Sequence, residues 1–167
     1  AGQEETVKRL FEASRRNGLE FLLEVIPSKV APVDDTTTAQ LIEQFYSIGV
    51  YPDWWKLEPM KTSAAWENAI AAIERNDAHT RGIVVLGLDA PEAELAASFK
   101  VAASYDLVKG FAVGRTIFGE VARAWMKGET DDAAAVTEMS RRYARLCEGW
   151  DAARVAVHEL FDRRHVG

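Results

Sequence analysis

Four short, almost continuously apolar runs, each followed by a stretch of helical periodicity, limit the folds open to this chain more than any other feature. The runs cover residues 19–26, 54–58, 83–88 and 108–113, and Pro27, Pro59, Gly82 and Gly114 mark their borders. They are shorter than an ordinary helix and rich in Val, Ile, Leu, Phe and Trp. Apolar on both faces, such runs suit the strands of a parallel sheet layered with helices.

The intervening segments carry the helices. The spacing predicts a helix over 4–16 through Val7, Leu10, Phe11 and Ser14, ended by Asn17-Gly18. Asp34 and Asp35 can cap a helix striped by Leu41, Ile42, Phe45, Tyr46 and Ile48, which Gly49 closes. Ser63 can cap a third, striped by Trp66, Ile70 and Ile73. Asp89-Ala90-Pro91-Glu92 has the spacing of a capping box with proline in the first turn, ahead of a helix carrying Leu95, Phe99 and Ala102. Beyond Gly114-Arg115 the chain reads as helical, with Val136, Met139, Tyr143, Leu146 and Trp150 on one apolar stripe.

The order is helix, then strand and helix four times, then more helix. That is an α/β fold of parallel (β/α) units, expected as one domain over 1–167. Four units make either a small open sheet or half of an eight-unit TIM barrel, which takes about 250 residues when complete. A helix ahead of the first strand favours the C-terminal half barrel, since it is natural if it follows a strand of a longer polypeptide. A start at Ala1 rather than Met leads to the same expectation of an excised piece.

Charge and composition exclude several classes. A net charge of −6 would repel nucleic-acid backbones and anionic lipid, so neither is an expected partner. The basic run Arg141, Arg142 and Arg145 is interleaved with Glu138 and Glu148, the composition of a solvated helix face. A single cysteine, Cys147, rules out an internal disulfide and a cysteine zinc cluster, and its place in a helical pattern suggests a half-buried thiol. No apolar run approaches the ~20 residues of a membrane span, and the first residues are polar rather than signal-like, so a cytoplasmic protein is expected. His79, His158 and His165 are scattered and expected to be exposed, and there is no glycine-rich nucleotide loop. Neither a metal nor another cofactor is expected.

Three places can carry chemistry. Lys56, between Trp55 and Leu57, is an unusual residue for an apolar strand. Alternation puts Trp54, Lys56 and Glu58 on one face, and Trp55 and Leu57 on the other. A lysine that adds to a ketone must present a neutral amine, a form favoured by burial against apolar rings. The other reading is a structural lysine paired with Glu58 or Glu24. Glu24 stands in an apolar run of its own, where it needs a partner, a proton or a wet cavity. Beside an iminium it could move protons, and otherwise it is half of a structural ion pair. Gly110, Ala112 and Gly114 share a face that is nearly bare, so backbone N–H groups near Gly114 and Arg115, with Gly87 at the end of the preceding run, could hold a phosphate.

Three strings together resemble one family: Tyr51-Pro-Asp-Trp-Trp-Lys-Leu-Glu-Pro59, Arg81-Gly-Ile-Val-Val-Leu-Gly-Leu-Asp-Ala-Pro91 and Val108-Lys-Gly-Phe-Ala-Val-Gly-Arg-Thr-Ile-Phe118. It is a bacterial domain, long without an assigned function, found fused behind carbohydrate kinases of inositol catabolism. Segment 131–154 resembles its closing part, so the match covers essentially the whole chain. That family is in turn similar to the class I tagatose-bisphosphate aldolases. Their fifth strand carries a glutamate in a string like Phe21-Leu-Leu-Glu24. Their sixth carries the Schiff-base lysine in a Leu-Lys-Val-Glu string that falls on Lys56. Their eighth ends in Gly-Arg followed by Thr and an aromatic, like Gly114-Arg115-Thr116 and Phe118.

The resemblance implies a lyase that cleaves 2-deoxy-5-keto-gluconate 6-phosphate to dihydroxyacetone phosphate and malonate semialdehyde. Lys56 would form the imine, Glu24 would assist proton transfer, and Gly87, Gly114 and Arg115 would hold phosphate. Two departures accompany it. The seventh strand ends Leu86-Gly-Leu-Asp89 where the aldolases have Ser-Ala-Gly, an acid that repels phosphate unless it turns away to cap its helix. The first four strands, with their further acids and second lysine, are not in this chain. A second copy, or the remainder of a longer kinase-fused chain, is therefore the expected partner beside the phosphorylated sugar, and the piece alone is expected to be inactive. The alternative from a different class is a non-catalytic module that binds a sugar phosphate or oligomerises a fused carbohydrate kinase.

Overall fold

Short strands and amphipathic helices alternate as the patterning requires. The computed structural model describes residues 2–87 and 90–164, with backbone alone for residue 92 and for residues 157–164. Helix α1 (Gly2–Arg16) precedes β1 (Leu22–Val25) and a 3-10 turn (Pro27–Lys29), followed by α2 (Thr37–Ser47), β2 (Trp54–Leu57) and α3 (Ser63–Asn76). Then come β3 (Gly82–Leu86), α4 (Glu92–Ala102), β4 (Val108–Ala112), α5 (Arg115–Met126) and α6 (Asp132–Arg164). The four strands form one all-parallel sheet in the order β1-β2-β3-β4. The chain divides into two compact units, residues 1–84 and 85–167.

In the first unit, β1 is shorter than the apolar run 19–26 for two reasons. The Leu19 N–H donates to Ser14 O at the end of α1, so the run begins as a helix cap. At the other end Pro27 has no N–H with which to extend a ladder. Trp55 and Leu57 point to the helix side of β2, where the Trp55 Nε1–H donates to Tyr46 Oη on α2 at 3.0 Å and the two rings meet at 5.6 Å. Burial pushes the Tyr46 phenol up to about 12, so its hydroxyl stays protonated at neutral pH. Ile42, Val50, Trp66 and Ile73 complete a dry core.

Helix ends fall within a residue or two of expectation, and the differences have local causes. The cap of α3 is Thr62 rather than Ser63, its hydroxyl accepting from the Ala65 N–H at 3.1 Å. The two acids expected to cap α2 divide their roles. Asp34 accepts from the N–H groups and hydroxyls of Thr36 and Thr37, whereas Asp35 accepts from the Thr62 hydroxyl and so ties the loop to the start of α3. Gly49 closes α2 at φ 83°, a left-handed conformation that favours glycine.

In the second unit the C-terminal helical stretch breaks at Gly128 (φ 71°) into α5 and α6. The core gathers Phe99 of α4, Phe111 of β4 and Trp150 of α6, with Phe99 and Phe111 stacked at 4.8 Å. The apolar stripe expected on α6 is buried only in part. Leu146 and Trp150 are inside, but Val136 and Tyr143 are exposed and Ala135 takes the inward position. Arg142 is not a solvated charge of that helix, because it bridges Glu138 at 2.8 Å and Glu120 at 3.0 Å and so links α6 to α5. Helix α4 begins at Glu92 with Pro91 at its N-cap, and Asp89 of the expected capping box lies outside the described residues.

Candidate functional site

Parallel pairing fixes which residues of β1 and β2 can meet. The register sets Leu22 against Trp54, Leu23 against Trp55, Glu24 against Lys56 and Val25 against Leu57. Because Trp55 and Leu57 turn toward the helices, Lys56 and Glu24 project from the opposite face. There the Lys56 Nζ lies 2.9 Å from a Glu24 carboxylate oxygen. The pair is wetter than an apolar run suggests, with the two side chains 24% and 43% exposed. One expectation changes accordingly: Lys56 is half-buried rather than enclosed. Trp55 stands on the other side of the strand from it and Glu24 has a partner, as the alternation and the cost of burying a carboxylate require.

Glu58, expected only as an alternative structural partner of Lys56, is the least expected residue here. It is 7% exposed, just past the end of β2. Among the described residues its carboxylate is held by Ser28 alone, from the backbone N–H at 2.8 Å and from the hydroxyl. The 3-10 turn makes this possible, since Pro27 ends the ladder and the next N–H, that of Ser28, turns to the end of the neighbouring strand. Lys56 thus pairs with Glu24 and not with Glu58. Both acids lie at or beyond the carboxyl ends of their strands, where parallel (β/α) folds place their chemistry.

In the second unit, Gly87 and Gly114 are glycines for reasons of space. A Cβ on Gly87 would meet Val113 at 2.9 Å and the Thr116 hydroxyl at 3.3 Å, and one on Gly114 would meet the Phe118 ring at 3.0 Å. Gly110, unlike Gly87 and Gly114, faces open space as expected of a bare surface. Gly114 is the N-cap of α5 and accepts from the Ile117 and Phe118 N–H groups, which leaves Arg115 and Thr116 in the first turn. Those two residues, with Ala90, Pro91 and side chains of α5 and α6, line a cleft of about 490 Å³. Arg115 is exposed, and the Thr116 hydroxyl donates to Ala90 O at 3.1 Å.

Among the described residues no three His, Cys, Asp or Glu side chains gather as a metal site would require. His79 is exposed, and the side chains of His158 and His165 lie outside the described residues. Cys147 is half-buried. No helix among the described residues is long and apolar enough to cross a membrane.

No curated protein matches the chain. Residues 1–154 match the model of the family described as "Uncharacterized protein conserved in bacteria (DUF2090)", and the chain belongs to that family.

Proposed function

We propose that the chain is the C-terminal half of an aldolase-like TIM barrel that works through an imine on Lys56. The observation that carries this reading is the Lys56–Glu24 pair, 2.9 Å apart across adjacent parallel strands, on the face opposite Trp55 and Leu57. A lysine amine adds to a ketone carbonyl, the carbinolamine loses water with the help of a neighbouring acid, and the resulting iminium draws electrons from the bond to be cleaved. Glu24 is within hydrogen-bond reach of the nitrogen and suits the proton transfers. The substrate class is a phosphorylated keto-sugar acid, with 2-deoxy-5-keto-gluconate 6-phosphate of inositol catabolism as the leading member. Phosphate would be held by the strand ends at Gly87, Gly114 and Arg115, and the whole would be a cytoplasmic lyase domain fused to a carbohydrate kinase.

The test is to incubate the full-length polypeptide with ketose phosphates and borohydride. A ketose-derived adduct on Lys56, located by peptide mass spectrometry, supports the reading, and an adduct elsewhere or none overturns it. A second reading, a non-catalytic sugar-phosphate-binding or oligomerisation module, is favoured by one observation. The space at Gly87 is filled by Val113 and Thr116 rather than left open to a ligand.

A further inference from the structure

Two carboxylates stand close to Lys56 in the fold or the chain, Glu24 and Glu58, and Lys56 pairs with Glu24. Glu24 is directly across the ladder at 2.9 Å. Glu58 follows Lys56 by two positions, one residue past the end of β2. Strand geometry carried on by that one residue would set it on the same side, about 6.6 Å away between Cα atoms, a span that a lysine and a glutamate side chain together can bridge. Glu58 is nevertheless buried, and Ser28 occupies both of its oxygens, the N–H on one and the hydroxyl on the other. A carboxylate so engaged is not available to the ammonium.

We propose that Ser28 is a positioning residue that holds Glu58 away from Lys56, so that the amine faces one carboxylate instead of two. The inference rests on the reading of Lys56 as the reactive amine. A second carboxylate free to reach the nitrogen would stabilise its ammonium form and withdraw the lone pair needed for addition. Deleting the hydroxyl of Ser28 should release Glu58 toward Lys56 and slow the amine. Removing the charge of Glu58 as well should undo that effect. A structural clamp alone predicts the contrary, since two lesions in one clamp would do at least as much harm as one.

Reductive alkylation with glycolaldehyde and cyanoborohydride separates these cases. The amine adds to the aldehyde carbon, water leaves, and hydride reduces the iminium to a secondary amine. Peptide mass spectrometry then gives a rate for each lysine, with exposed Lys61 and Lys100 as references within the same molecule. In the wild type, Lys56 should react faster than the references, because Glu24 beside it assists loss of water from the carbinolamine by more than its charge slows the addition. Ser28→Ala should slow Lys56 about tenfold relative to them, the effect of one opposite charge brought within contact. Ser28→Thr should keep the wild-type rate, and Ser28→Ala combined with Glu58→Gln should restore it. If wild-type Lys56 reacts no faster than Lys61, the reading of Lys56 as the reactive amine falls. If Lys56 is fast in the wild type but Ser28→Ala leaves it so, or the double variant is slower still, the positioning role of Ser28 is wrong and the reading of Lys56 stands.

Discussion

The two ends of the β1–β2 pair carry similar chemical groups and put them to different use. At the amino end Asp53 is tied on every side. It accepts from the Phe21 N–H at 2.7 Å and pairs with Arg15 at 2.9 Å, while its own carbonyl accepts from the Arg81 N–H. Burial opposes ionisation of the Asp53 carboxyl, but the Phe21 N–H and the Arg15 guanidinium together outweigh it and hold the group below its ordinary value. Close by, Glu20 accepts from the Trp54 indole and pairs with Arg81. At the carboxyl end the arrangement is simpler and more open, a lysine against one carboxylate with a second acid held in reserve by Ser28. Charge that joins segments 32, 34 and 38 residues apart into a fixed network serves stability. Charge with one partner and an open side is free to react.

That contrast can be broken most decisively at Lys56. Lys56→Arg keeps the charge and much of the bulk but cannot form an imine. Adduct formation with a ketose phosphate and borohydride should disappear entirely, with the melting temperature nearly unchanged. Persisting adduct in that variant would move the reactive amine elsewhere. At the amino end the opposite is expected. Asp53→Ala leaves the half-buried Phe21 N–H and Arg15 without their acceptor, which should cost about 2 kcal/mol in urea unfolding, the range for hydrogen bonds to a charged group. The glycolaldehyde rate at Lys56 should not change. A slower Lys56 would show that the two ends are coupled.

The smallest effect belongs to Asp34, which is fully exposed. The hydroxyl of Thr37 first, then the N–H and hydroxyl of Thr36, bring its carboxyl down to about 2. Its folded value is below the unfolded one, so its contribution to stability is complete above about pH 4 and is lost as the pH falls toward 2. The stability difference between the wild type and Asp34→Asn, followed by thermal melting, should be constant from neutral pH to about 4 and shrink below that. A difference that persists at pH 2 would assign the role to geometry alone.

Much of this was legible in the residues. Apolar runs bordered by Pro27, Pro59, Gly82 and Gly114 locate the four strands, and two-residue alternation on β2 correctly separates Lys56 from Trp55. The choice between Glu24 and Glu58 as partner of Lys56 was not legible, because it depends on the register between two strands about 30 residues apart, a tertiary property. Nor was the grip of Ser28 on Glu58, which follows from the way the chain turns after Pro27. A serine directly after a strand-ending proline was the one available signal. On α6, exposed Val136 and buried Ala135 show how a long helix can rotate by one position when neighbouring packing outweighs its own hydrophobic stripe.

Helix α1 has 15 residues and buries none of them. Its ties to the rest of the first unit include Arg15 to Asp53 and to Tyr51 O, the Phe11–Phe21 ring contact at 5.6 Å, a hydrogen bond from Gln44 to Glu4 and the Leu19 N–H on Ser14 O. Helices this long are marginal in water without a packed face. The helix is therefore expected to open before β2 does. In hydrogen exchange its amides should lose protection first, at a rate insensitive to mild denaturant, while those of Trp55 and Leu57 should exchange only when the unit as a whole unfolds.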